Sequence, residues 1–149
     1  MCNQVCAHCH VDAGPDRKEI MTLKTMNECL EVIKKTGAHT LDLTGGAPEM
    51  NPEFRWFVEE ATKIGVKDFI VRSNLTIITA NKKYYDLPDF FKKHNIHVIS
   101  SMPHWTKGKT DKQRGDGVFN ASIKALKMLN AVGYGMPGSE LKLDLVYNP

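Results

Sequence analysis

Strand-patterned and helix-patterned segments alternate along this chain, and that alternation limits the fold more than any other feature. In Thr22 to Lys35, Leu23, Met26, Leu30 and Ile33 follow the spacing of one helix face, with Thr22 placed to cap the start and Gly37 to end it. In Thr40 to Thr44, Leu41 and Leu43 alternate with polar neighbours, as in a strand. Asn51 and Pro52 open a second helix, Asn as cap and Pro at the first position, and Gly65 closes it. Lys67 to Ser73 reads as a second strand, Leu87 to His94 as a short helix and His97 to Ser101 as a third strand. Asp116 is placed to cap a helix from about Gly117 to Val132 that buries Ile123, Leu126 and Leu129, and Leu141 to Tyr147 reads as a fourth strand. Ser101 to Asp116 is the longest irregular stretch, and a loop of that length is expected to be functional or mobile. The expected fold class is α/β: parallel strands joined by helical crossovers. With no internal repeat and 149 residues, residues 1–149 form one domain.

The strands predict two unlike faces. Leu41 and Leu43 share one, Thr40, Asp42 and Thr44 the other; Leu141, Leu143 and Leu145 oppose Lys142, Asp144, Val146 and Asn148. Strands covered on both sides normally read as continuous apolar runs. Here one face packs helices while the other, joined by Arg72, Asn74 and Ser101, forms a polar concave surface suited to a ligand. The competing reading has Asp42, Arg72 and Asp144 paired internally with no ligand, because buried charges must be paired.

Composition narrows the function. Hydrophobic residues make up 42% and charged residues 25%, as in a globular protein. The net charge of +3 is scattered, which argues against nucleic acid. No apolar run is long enough for a membrane span, and no apolar signal segment opens the chain, so a cytoplasmic setting is expected. There, cysteines serve as metal ligands or catalytic groups more often than as disulfides.

Three of the four cysteines, Cys2, Cys6 and Cys9, fall within MCNQVCAHCH at the start. A zinc knuckle would use Cys6 and Cys9 with Cys2, His8 or His10. A redox pair would need only Cys6 and Cys9. Three thiolates could also hold an iron–sulfur cluster with one iron left open to another ligand. Downstream, TGGAPE at Thr44 to Glu49 ends the first strand, where glycines let the backbone approach a ligand and where barrels of alternating strands and helices place their sites.

Together these motifs resemble the radical S-adenosylmethionine (radical SAM) enzymes, with C-x-x-x-C-x-x-C at Cys2, Cys6 and Cys9 and Gly-Gly-x-Pro at Gly45 to Pro48. CNQVCAHCHVDAGP, LTGGAPEMNPEFRWFVEEA, Asn74-Leu75-Thr76, QRGDGVFNASI and LDLVYNP resemble, over essentially the whole chain, the arsenosugar-biosynthesis branch of that superfamily. The resemblance implies a partial barrel, a 4Fe-4S cluster on Cys2, Cys6 and Cys9, and S-adenosylmethionine (SAM) chelated to the fourth iron. It implies cofactor contacts from Gly45, Gly46, Ala47, Pro48, Glu49, Ser73, Asn74, Ser101 and Asn148. It implies an electron donor such as a flavodoxin or ferredoxin, and transfer of a deoxyadenosyl group to a methylated trivalent arsenical as small-molecule substrate. Other readings are a radical SAM enzyme acting on a peptide or small metabolite, and a zinc-stabilised binding module without catalysis. His8 stands where an aromatic residue often precedes the third cysteine, and can still stack on adenine. A strand before the cysteine loop, and barrel strands after YNP, are expected in the family and not found, so the chain reads as a piece of a longer enzyme.

Other residues have plainer expectations. Cys29, Trp56, Phe57, Met21, Met26 and Met128 read as packing residues. Glu49 is read as either a cofactor contact or a solvent-facing side chain.

Overall fold

The structure, a computed structural model, describes residues 1–147. Four strands, β1 (Thr40–Leu43), β2 (Asp68–Ser73), β3 (His97–Ser101) and β4 (Leu143–Val146), form one parallel sheet in chain order. Six helices accompany them: α1 (Leu23–Thr36), α2 (Phe54–Lys63), α3 (Thr76–Ala80), α4 (Leu87–Lys93), α5 (Lys107–Arg114) and α6 (Val118–Val132). The α/β class expected from the alternation is therefore the class observed.

Local signals account for α1. The Thr22 hydroxyl accepts the Thr25 N–H at 3.2 Å, and Gly37, at φ +67°, donates back to the Ile33 carbonyl at 2.9 Å. Register puts Leu41, Phe69, Val71, Val98 and Leu143 on one face of the sheet, against Phe57, Val58, Phe91 and Leu129 of the helices. The opposite face carries Thr40, Asp42, Arg72 and Asp144, all exposed. These charged side chains pair at the surface, in two separate contacts rather than one buried network. The Arg72 guanidinium donates to both Asp42 oxygens at 2.8–3.1 Å, and Asp144 meets His97 Nε2 at 2.7 Å.

Several expectations are corrected. Half of the stretch from Ser101 to Asp116 is not irregular, because α5 occupies Lys107–Arg114. Asp116 does not cap α6; the Asp111 carboxylate reaches across from α5 and accepts the Gly117 and Phe119 amides at 3.2 and 2.8 Å. Asn51 does not cap α2 directly: its side chain accepts the Glu53 N–H at 2.9 Å and closes a turn before the helix begins at Phe54. Met21 is exposed rather than packed in the core. Neither α3 nor the single turn Lys82–Tyr84 was expected from the sequence. No helix among the described residues is long and apolar enough to cross a membrane.

Candidate active site

The first fourteen residues fold over the C-terminal ends of β1 and β2. Backbone bonds hold them there: Ala47 N–H donates to the Met1 carbonyl, Cys2 N–H to Gly14 and Ala7 N–H to Gln113, each at 3.1 Å. Gly46 is required by this approach, because a Cβ at that position would collide with the Met1 carbonyl. Gly45 sits at φ +137°, a conformation that L side chains rarely adopt. Gly46 therefore serves the docking of the cysteine loop, and Gly45 serves the turn itself.

Between the docked loop and the strand ends lies an open cleft of about 370 Å³. Cys2, Cys6, Cys9, His8 and His10 line it from the loop, and Gly45, Gly46, Ser73, Asn74 and Ser101 line it from the strand ends. Ala47, Pro48 and Glu49 are not among its lining residues. Asn148 lies outside the described residues. A smaller space of about 220 Å³ opens on the other flank of the glycine turn, with no thiol and no basic side chain in its lining.

Among the described residues no three His, Cys, Asp or Glu side chains converge on a single-ion site. The three thiols are instead spread around the cleft wall. Cys2 is buried, while Cys6 and Cys9 are half-buried. Two hydrogen bonds already reach sulfur, from Ala13 N–H to Cys9 Sγ at 3.3 Å and from Asn74 Nδ2 to Cys2 Sγ at 3.4 Å.

Residues singled out in the sequence behave differently from one another. The Ser73 hydroxyl accepts the Leu75 N–H at 3.4 Å, and the side chain is 2% exposed. Asn74 is engaged by protein neighbours on every hydrogen-bonding atom. Glu49, far from facing solvent, is 4% exposed, and neither carboxylate oxygen has a hydrogen-bond partner. Burial pushes its carboxyl up to about 7. The nearby Ser73 hydroxyl offsets part of that rise without a hydrogen bond of normal geometry.

One residue escaped the sequence reading. Arg114, at the last turn of α5, is 9% exposed and lines the cleft. Its Nε has no partner, and among the described residues no acidic side chain pairs with it. A buried guanidinium without a counter-charge is costly, and it fits a site that receives an anion. Arg114 lies within QRGDG, and nothing in that pattern marks it as buried.

The chain is similar to several known proteins. Mycofactocin maturase MftC of Mycobacterium tuberculosis is 24% identical over 135 residues, covering 89% of this chain and 33% of that protein. MftC of Mycobacterium ulcerans is 26% identical over 137 residues, covering 89% and 35%. Streptococcus suis SuiB bound to S-adenosylmethionine superposes with a TM-score of 0.70 at 16% identity, covering 99% of this chain and 38% of that one. SuiB bound to the precursor peptide SuiA gives the same score. The chain thus spans about a third of the length of these proteins. The sequence pattern of the radical SAM superfamily, whose cofactors are a 4Fe-4S cluster and SAM, matches residues 1–138. The chain belongs to the radical SAM superfamily.

Proposed function

We propose that residues 1–147 form the cluster- and SAM-binding part of a radical SAM enzyme. The observation that carries this is the single cleft into which three thiols, the Gly45-Gly46 turn and the unpaired Arg114 all face. The residues present fit the cofactors. Cys2, Cys6 and Cys9 would ligate three irons, leaving the fourth to SAM. The carbonyls of the glycine turn accept an ammonium group, and Arg114 supplies the cation for a carboxylate. Ser101 borders the same space from β3. When bound, a reduced cluster supplies the electron that cleaves the SAM sulfonium, giving methionine and a 5′-deoxyadenosyl radical. The protein's part is to hold both reactants in one orientation and to keep solvent from the sulfurs.

At the level of substrate, two readings stand. Named relatives favour a peptide: one is a maturase, and another is known bound to a precursor peptide. Their identity to this chain is low, and what they share with it is the part that would hold the cofactors. A methylated trivalent arsenical has the support of the whole-chain resemblance through LTGGAPEMNPEF, Asn74-Leu75-Thr76 and QRGDGVF.

The test is to incubate reconstituted, reduced protein with SAM, with and without a dimethylated trivalent arsenical. A product carrying the deoxyadenosyl carbon on arsenic supports the arsenical. Release of 5′-deoxyadenosine that rises with an added peptide and ignores arsenic supports the peptide. No SAM cleavage by protein that holds a full cluster contradicts the enzymatic reading.

A further inference from the structure

Asn74, expected from the sequence to touch the cofactor, has no hydrogen-bonding capacity left for one. Its Nδ2 donates to Cys2 Sγ at 3.4 Å and to Asn3 Oδ1 at 2.7 Å. Its Oδ1 accepts the Thr76 hydroxyl and the Ile77 backbone N–H, both at 3.1 Å. The orientation of the amide is settled by the Ile77 N–H, which can only donate, so the NH₂ must face Cys2. Thr76 Oγ1 in turn receives Asn3 Nδ2 and Gln4 Nε2, both at 2.9 Å. Two side chains from the β2–α3 junction thus grip three consecutive residues of the cysteine loop.

The backbone between them is strained. Leu75 has φ +62° and ψ −47°, and the Thr76 N–H donates to the Asn74 carbonyl at 2.7 Å. That is a γ-turn of the rare, positive-φ kind, here at a fully buried leucine. Such strain persists only where the surroundings over-determine it, and it concentrates at functional sites. The turn carries the chain from β2 into α3, with Asn74 and Thr76 both directed at the loop.

We propose that Asn74 is a positioning residue for the cluster: through the Leu75 γ-turn and Thr76 it pre-forms the cysteine loop, and its amide N–H on Cys2 sulfur raises the cluster's reduction potential. The physical reason is charge. Reduction puts more negative charge on the thiolate sulfurs, and a buried N–H donor stabilises that form over the oxidised one. The inference rests on the cluster assignment above.

The experiment uses the full chain reconstituted with iron and sulfide, with redox titration followed by electron paramagnetic resonance and iron retention measured through repeated desalting. Asn74→Asp keeps the size and the acceptor oxygen while replacing the donor with a charge. Asn74→Ala removes both. Thr76→Val keeps the amide on Cys2 but removes the hydroxyl that receives Asn3 and Gln4. Both Asn74 variants are expected to move the midpoint potential negative, Asp further than Ala. Thr76→Val is expected to lose iron about 10-fold faster with little change in potential. Asn74→Asp guards against the larger truncation failing to fold. A midpoint unchanged in the Asn74 variants that hold iron, or one shifted equally by Thr76→Val, overturns the proposal. Wild-type protein that takes up no iron overturns the functional reading and this one with it; iron uptake with an unmoved potential overturns this one alone.

Discussion

Glu49 is a buried side chain whose ionisation bears directly on stability. Its carboxyl is buried without a partner, and burial raises it from 4.5 to about 7. A raised carboxyl favours the folded state only while protonated. Below pH 4.5 both folded and unfolded chains keep the proton and nothing is lost. Between pH 4.5 and 7 the unfolded chain ionises first, so stability falls. Above pH 7 the cost levels off at about 3 kcal/mol. Glu49→Gln should therefore melt higher than wild type at pH 8 and alike at pH 4, in thermal scans across that range. A difference independent of pH contradicts this. Arg114 makes the opposite case, a buried cation awaiting an anion. Arg114→Met should weaken SAM binding about 10- to 100-fold, since a hydrogen bond to a charged group is worth ~1.5–3 kcal/mol, while leaving iron content unchanged. Equilibrium dialysis with the reconstituted protein measures both.

At the scale of elements, α5 and α6 depend on one carboxylate. Asp111 on α5 takes the first free amides of α6, so Asp111→Ala should cost about 1 kcal/mol in urea denaturation, and Asp116→Ala much less. Equal losses would contradict the assignment. Asp116 was the natural choice from sequence because it directly precedes the helix; only the turn made by α5 brings Asp111 to the same place. α1 and α6 were legible because their apolar residues recur at helical spacing. α5 was not, because KGKTDKQR has no apolar stripe and the residues it buries are Thr110 and Arg114. α3 was not, because Thr-Ile-Ile-Thr reads as extended, and its start is set by the γ-turn at Leu75. The same limit applies to the site. Cysteine spacing and the glycine turn are local patterns and could be read directly. The burial of Glu49, the use of Asn74 by Cys2 and the isolation of Arg114 depend on which loops meet.

At the scale of the whole molecule, the polar face of the sheet carries exposed pairs that contribute little to stability. Arg72 and Asp42 are 49% and 37% exposed, so breaking that pair should cost under about 1 kcal/mol. Both edges of the sheet, β1 and β4, are unpaired among the described residues. Beside β4, Trp105 and Tyr147 stack at 5.5 Å and are largely exposed, next to Leu145. Open strand edges flanked by apolar surface favour association. Sedimentation velocity should show a weight-average mass that rises with concentration; a strictly monomeric protein would count against it. The central claim is that the N-terminal thiols hold a cluster at the strand ends. It is tested most directly by iron and sulfide content after anaerobic reconstitution and desalting. Wild type and Cys29→Ala should hold about four irons and four sulfides per chain, and Cys2→Ala, Cys6→Ala and Cys9→Ala far less. Full iron in Cys6→Ala, or one zinc per chain in place of iron, would contradict the account.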